Sequence, residues 1–191
     1  MHLIIAQPDN NEYAPFYAGY VAKALAAIHR TDNNDLGTAL QATHRLLHEL
    51  LSSLSEAQQH YRYAEGKWTV KEILGHLIDA ERIFAYRVLR IARNDTTPLP
   101  GFDENAYVAA SNAQKRSMEE LLNEFAVVRA STLALLKSLS PPILEYTGTV
   151  SNHPISARAL AYIIAGHELH HLDIIRERYL PAFGAPINST M

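Results

Sequence analysis

An all-α four-helix bundle is the fold this sequence predicts, and three observations predict it. Four segments carry apolar residues at three- and four-residue spacing, the signature of a helix with one buried stripe. Each opens on a side chain suited to cap a helix: Asp35 or Asn34, Thr69 with Glu72, Ser117 with Glu120, and Ser156. A connection from Asn94 to Arg116 joins the second segment to the third, long enough to cross from one end of a bundle to the other or to cover a site. With 191 residues, 48% of them hydrophobic, the chain can bury one sizeable core. The expected organisation is an N-terminal extension over 1–34, the bundle over 35–180 and a loose tail over 181–191.

Residues 13–28 are rich in alanine and aromatics, with Phe16, Tyr20 and Leu25 roughly periodic, and predict a short helix after Pro15. The polar run Thr31 to Asp35 breaks it. The first bundle helix follows from about Leu36 to Leu54, with a stripe of Leu36, Leu40, Leu47, Leu50, Leu51 and Leu54. It also carries His44 and His48, which fall on the flank of the stripe and read as surface histidines. The second helix starts at the Thr69–Glu72 capping box, with Trp68 placed to staple onto Ile73, and runs to about Arg93 before Asn94 to Pro98 stop it. Asp103 and Tyr107 in the crossover are either polar groups near a pocket or surface residues. The third helix has a stripe of Leu121, Leu122, Phe125, Val128, Thr132, Leu135 and Leu136 and stops at Ser140-Pro141-Pro142. Residues 143–154 read as irregular, with Gly148 and Pro154 as turn residues. Ser156 opens the last helix, which ends near Leu180.

A formal charge of −3 supplies no basic field to gather a phosphate backbone, so nucleic acid is not an expected partner. No apolar run approaches a membrane span, and Met1 to Ala6 is too short for a signal-peptide core; a cytoplasmic protein is expected. Cysteine is absent, which removes disulfides, thiolate ligands and a cysteine nucleophile and leaves any metal to histidine and carboxylate.

The last helix carries the chemistry. His167 and His171 interrupt its stripe of Leu160, Ile163, Ile164 and Ile174. Two imidazoles four residues apart on one face lie about 6 Å apart at Cβ, close enough to share one ion. Buried bare, they would cost several kcal/mol in unmet hydrogen bonding. On the second helix His76 lies beside Ile73, Ala80 and Ile83; alone it reads as a core histidine, and beside a preformed pair it reads as a third ligand. Three neutral imidazoles suit one divalent ion, zinc or nickel, with a coordination position left for a substrate. Such an ion would activate a water or a thiol as nucleophile. Asp79, one turn beyond His76, is a candidate to orient that ring, and His170 and Glu168 border the pair.

Glu168 has three readings. His167 to His171 spells His-Glu-x-x-His, the zinc-peptidase signature with a catalytic glutamate, but no strand precedes it and only twenty residues follow. Glu168 with His171 also spells half of a di-iron site, for which the bundle offers no second half. The third reading is a polar residue between helices with no chemical role.

The runs Gly66 to Asp79, Pro100 to Glu104 and Gly166 to His171 together resemble the DinB/YfiT-like superfamily of four-helix metalloenzymes, across residues 35–180. The resemblance implies an up-down-down-up bundle and a nickel or zinc site on His76, His167 and His171. It also implies a small-molecule thiol and an electrophilic substrate, since bacillithiol transferases and mycothiol-dependent enzymes are among the characterised members. Others are classed as metal-dependent hydrolases. The expectation is therefore a metal-dependent thiol S-transferase, with a hydrolase and a non-catalytic metal-binding protein as alternatives; exposed bundle faces leave room for a homodimer.

Overall fold

A computed structural model describes residues 2–184 of the chain. The main helices are α1 (Ala18–Ile28), α2 (Leu36–Ser52), α4 (Val70–Ala92), α6 (Met118–Lys137) and α8 (Ala157–Ile174); α3 (Glu56–Gln59), α5 (Glu104–Ala110) and α7 (Pro141–Leu144) are short. α4 packs against α6 and α8, and α2 packs against both as well, giving the up-down-down-up four-helix bundle. α1 lies outside that ring along α8.

Local chemistry fixes the helix starts. Asp35 accepts from the Thr38 amide, Ser156 accepts from the Ala159 amide, and Thr69–Glu72 and Ser117–Glu120 form reciprocal capping boxes. Leu36, Leu40, Leu47 and Leu51 of α2 are fully buried, as are Leu74 and Val88 of α4 and Leu160 and Ile163 of α8. α4 ends where Asn94 turns into the left-handed region at φ 58°. α8 passes through a π-helical turn, Ile175–Tyr179, and a final 3₁₀ turn, Leu180–Phe183, whose Phe183 ring packs on Tyr61. Residues 181–184 are thus helical turn rather than loose tail, and the rest of the expected tail, 185–191, lies outside the described residues.

The N-terminal segment is tied to the bundle along its length. The Leu36 amide donates to the Leu3 carbonyl at 3.0 Å, the Tyr162 hydroxyl to the Ile5 carbonyl at 2.8 Å, and Arg158 forms an ion pair with Glu12. Further on, α1 crosses α8 at Gly166, where a Cβ atom would stand 1.9 Å from the Tyr20 carbonyl oxygen. This crossing explains a glycine inside a long helix despite its cost of about 1 kcal/mol relative to alanine.

One stretch differs from its sequence reading. Residues 147–156 form an antiparallel hairpin, β1 (Thr147–Val150) with β2 (His153–Ser156), in place of irregular chain. The turn residues are Ser151 and Asn152, at φ 50° and 66°, the positive values a two-residue turn of the I′ kind requires. Gly148 and Pro154 sit in the strands: a Cβ at Gly148 would come within 2.7 Å of the Ile91 side chain. The hairpin anchors the crossover, since the Leu99 amide donates to the Thr149 carbonyl at 2.9 Å and the Ser151 amide to the Leu99 carbonyl at 3.0 Å.

Candidate metal centre

α4 and α8 bring His76, His167 and His171 together, with all three offering ring nitrogens within 4.8 Å of one another. The Nε2 atoms converge: His76 to His167 is 3.0 Å and His171 to His167 is 3.2 Å. Around an ion with bonds of about 2.05 Å, imidazole nitrogens stand about 3.3 Å apart in a tetrahedron and about 2.9 Å apart on an octahedral face. The two separations from His167 fall between those limits, and all three nitrogens lie within 4.8 Å of one another, so the residues present fit one divalent ion.

The three rings are buried. Burial pulls the His76 pKa down to about 4, with His170 adding to it, and holds His167 and His171 well below the ordinary histidine value, with neighbouring imidazoles reinforcing the effect. At neutral pH all three rings are uncharged, the state that donates to a metal. Neutral rings also make the cluster costly when nothing else binds it. Three converging nitrogens share too few protons to satisfy one another, and a buried polar atom left unpaired costs about 1–3 kcal/mol.

Aromatic rings hold the triad. Trp68, just outside the α4 cap, lies 4.8 Å from His76 and 6.4 Å from His171 between ring centroids. Its carbonyl accepts from the Tyr179 hydroxyl at 2.6 Å, so the π-helical end of α8 fixes the segment that carries it. Phe84 and Tyr20 each meet the His167 ring edge-on at 5.5 Å.

Two cavities border the triad. One of about 320 Å³ ends on His167 and is lined by Tyr17, Tyr20, Phe84, Arg87 and Phe102 among others. The second, about 280 Å³, ends on His171 and is lined by Tyr63, Lys67, Trp68 and Tyr179. Glu104, the first residue of α5, lines both and among the described residues is the only carboxylate lining either. Its pKa is raised, by burial first and then by Asp103. The crossover therefore both spans the bundle and covers the site; Asp103 caps α5 and Tyr107 is exposed.

The residues expected around the ligands are placed differently. Asp79 does not reach the His76 ring: it lies 3.9 Å from Arg82 on the flank of α4. The Nδ1 atom of His171 is buried with no hydrogen-bond partner among the described residues. His170 packs its ring on Tyr20 and His171, each at 5.2 Å, without hydrogen-bonding a ligand. Glu168 turns away from the triad into a buried ionic cluster. There Arg129 grips Glu81 through two bonds of 2.8 and 2.6 Å, donates to the Leu40 carbonyl at 2.7 Å, and stands 2.9 Å from a Glu168 oxygen. Burial raises the Glu168 pKa, against the pull of Arg129.

His44 corrects the sequence reading most directly. It is not a surface histidine: its side chain is 15% exposed, packs on Phe125 and points Nδ1 to within 4.0 Å of Glu168. Burial lowers its pKa to about 4, with Arg129 adding to the effect. A position on the flank of a leucine stripe is enough to bury a ring when the facing helix supplies an aromatic neighbour. Trp68, Tyr20, Arg87 and Glu104 were missed as site residues because each comes from outside the two helices that carry the histidines or lies turns away from them. Within Gly66 to Thr69 and Pro100 to Glu104, the only available signal was membership of the runs that carry the family resemblance.

The fold and the triad together define a four-helix-bundle protein with a buried three-histidine cluster that could hold a metal ion. The profile of the DinB superfamily matches residues 39–175, and the chain belongs to that superfamily. Its similarity to curated proteins includes a "Putative metal-dependent hydrolase" of Bacillus licheniformis, 27% identical over 83% of this chain and 90% of the relative. A protein of the same description from Geobacillus kaustophilus is 28% identical over 87% and 89%. Among solved structures, YfiT from Bacillus subtilis superposes with a TM-score of 0.69 at 16% identity, covering 95% of both chains. That protein is described as "a probable metal-dependent hydrolase with an unusual four-helix bundle topology", and the likeness carries the fold. No helix among the described residues is long and apolar enough to cross a membrane.

Proposed function

We propose that this protein is a metal-dependent transferase that activates a low-molecular-weight thiol at the three-histidine centre and transfers it to a small electrophile. One observation carries the reading: cavities bordering different ligands of the same triad, His167 and His171, meet at Glu104. A bimolecular transfer needs two organic reactants held against one reactive point, and space beside two of the triad's ligands provides that. A divalent ion, nickel or zinc, supplies the acidity that ionises a thiol near neutral pH.

The chain's own residues supply the rest. His76, His167 and His171 stay neutral and hold the ion, and Trp68 and Phe84 pack against them. A carboxylate oxygen of Glu104 takes the thiol proton, because among the described carboxylates it alone borders both cavities and its raised pKa brings it closer to neutral. Glu168 takes no part, since its carboxylate is committed to the Arg129 cluster.

A hydrolase is the second reading, favoured by the description of the relatives. The two separate in one experiment. Protein carrying its metal is given 1-chloro-2,4-dinitrobenzene with and without 2-mercaptoethanol, and p-nitrophenyl acetate in thiol-free buffer. Thiol-dependent consumption of the first supports the transferase; turnover of the second with no thiol effect on the first supports the hydrolase. Metal analysis accompanies both: one ion per chain is expected, lost in His76→Ala, His167→Ala and His171→Ala. Unchanged stoichiometry in His76→Ala would overturn the centre itself.

A further inference from the structure

Arg87 stands in the cavity that ends on His167, and the roles described so far do not need its charge. It is 3% exposed, deep enough that an unpaired charge costs several kcal/mol. Its Nη2 donates to the Pro100 carbonyl at 2.8 Å, and the Tyr17 hydroxyl sits beside it. Those are neutral partners. Among the described residues no carboxylate lies within ion-pairing distance of it, in contrast to Arg129, which has two. Its Cζ lies 5.8 Å from the ring centres of both Phe84 and Phe102, so two aromatic faces hold the guanidinium in place. The Phe84 ring that supports Arg87 is also the one that meets His167 edge-on at 5.5 Å. Arg87 is therefore a fixed positive charge set on the far side of one aromatic ring from the triad.

We propose that Arg87 binds a carboxylate group of the substrate that enters this cavity, and so aims the opposite end of that molecule at the three-histidine centre. The proposal deepens the functional reading above and rests on its assignment of the triad as the reaction centre. Three features select the ligand chemistry. A planar guanidinium pairs a carboxylate through two parallel hydrogen bonds. Among the described residues Arg87 is the only cationic side chain lining the cavity, and Glu104 lines it too, which favours a singly charged carboxylate over a phosphate dianion. Tyr17, Tyr20, Phe84 and Phe102 form aromatic walls for an apolar body, and about 320 Å³ accommodates a small molecule.

The test uses a matched pair of probes, 3-phenylpropanoate and its primary amide, with inorganic phosphate as a third. Binding is measured by calorimetry on metal-loaded and on metal-free protein, because a carboxylate can also ligate the ion directly. Wild-type protein in both forms is expected to prefer the carboxylate over the amide by at least tenfold. Arg87→Gln is expected to remove the preference in the metal-free form, and Arg87→Lys to retain the charge but lose most of the affinity. Thermal unfolding of each variant reports folding, and Arg87→Lys keeps the test open if Arg87→Gln does not fold. A carboxylate preference that survives in the metal-free form of both variants overturns the proposal. So does equal affinity for acid and amide in metal-free wild type, or phosphate binding as tightly as the carboxylate. Loss of metal in the histidine variants is read separately, so failure of the triad and failure of Arg87 give different results.

Discussion

Gly166→Ala is the sharpest test of how the N-terminal segment is built into the site. An added Cβ would lie 1.9 Å from the Tyr20 carbonyl oxygen, 2.4 Å from its carbon and 2.6 Å from its Cα. All three are backbone atoms, so no rotamer change relieves the overlap, and α1 must move away from α8 by about 1 Å or more to restore ordinary contact. Overpacking a tight interior costs typically 1–3 kcal/mol, and a backbone clash belongs at the upper end. The gain in helix propensity, about 1 kcal/mol, works the other way and leaves a net loss of about 2 kcal/mol. For a chain of this size, a loss of about 2 kcal/mol lowers Tm by roughly 4–8 °C. The paired control is Gly19→Ala on α1, where no atom lies within 4 Å of the added Cβ; it should leave Tm unchanged or raise it slightly. Because α1 and its N-cap Tyr17 bring Tyr20 and Tyr17 into the His167 cavity, Gly166→Ala should also weaken ligand binding there while metal stoichiometry stays at one. Thermal denaturation by circular dichroism reads the first effect and metal analysis the second. A Gly166→Ala protein within 0.5 kcal/mol of wild type would refute the close crossing.

Trp68 is the only tryptophan in the chain and lies 4.8 Å from the His76 ring, so its fluorescence should report the centre. Nickel, with an open d shell, should quench it with saturation at one equivalent, zinc with its filled shell should quench far less, and His167→Ala should abolish the nickel response. Arg129→Met leaves Glu81 and Glu168 facing each other without a cation and should cost about 3–5 kcal/mol in chemical denaturation at pH 8. The loss should shrink at pH 5, where the buried carboxylates can take up protons, and no shrinkage would count against the cluster as drawn. His76 has a pKa of about 4 in the folded, metal-free chain against about 6.5 unfolded, so the unfolded state binds the extra proton between those values. Metal-free protein should therefore lose stability as pH falls from 6.5 towards 4 and show no contribution from this group above 6.5. In His76→Phe that part of the pH dependence should disappear; its persistence would mean that the ring is protonated in the folded state.

What was legible in the sequence follows the range of the interactions. Helix starts rest on contacts three residues apart, and Thr69–Glu72 and Ser117–Glu120 could be read directly because both partners lie in one window. The His167–His171 pair was legible for the same reason, and His76 joined it because an inward imidazole beside an existing pair has few other satisfactory environments. The hairpin escaped because its turn uses Ser151-Asn152 rather than an Asn-Gly pair, and because Gly148, which usually breaks strands, is there to let β1 approach Ile91. His44 escaped because helical angle alone places it on a flank, while the ring of Phe125 on α6 decides whether that flank is buried.

The ionic cluster and the histidine triad show why Glu168 could not be assigned from its neighbours in sequence. Successive residues of a helix point about 100° apart, so His167 and Glu168 necessarily face different partners. His167 faces α4 and meets His76, whereas Glu168 faces α2 and α6 and meets His44 and Arg129. The zinc-peptidase spelling asks one glutamate to share a site with histidines on either side, but here the cation that would neutralise that glutamate sits on another helix. Removing the charge from Arg129 should therefore disturb the bundle core before it disturbs metal binding. Arg129→Met that keeps one ion per chain while losing stability would separate the two buried clusters, and loss of the ion at full stability would join Glu168 to the centre.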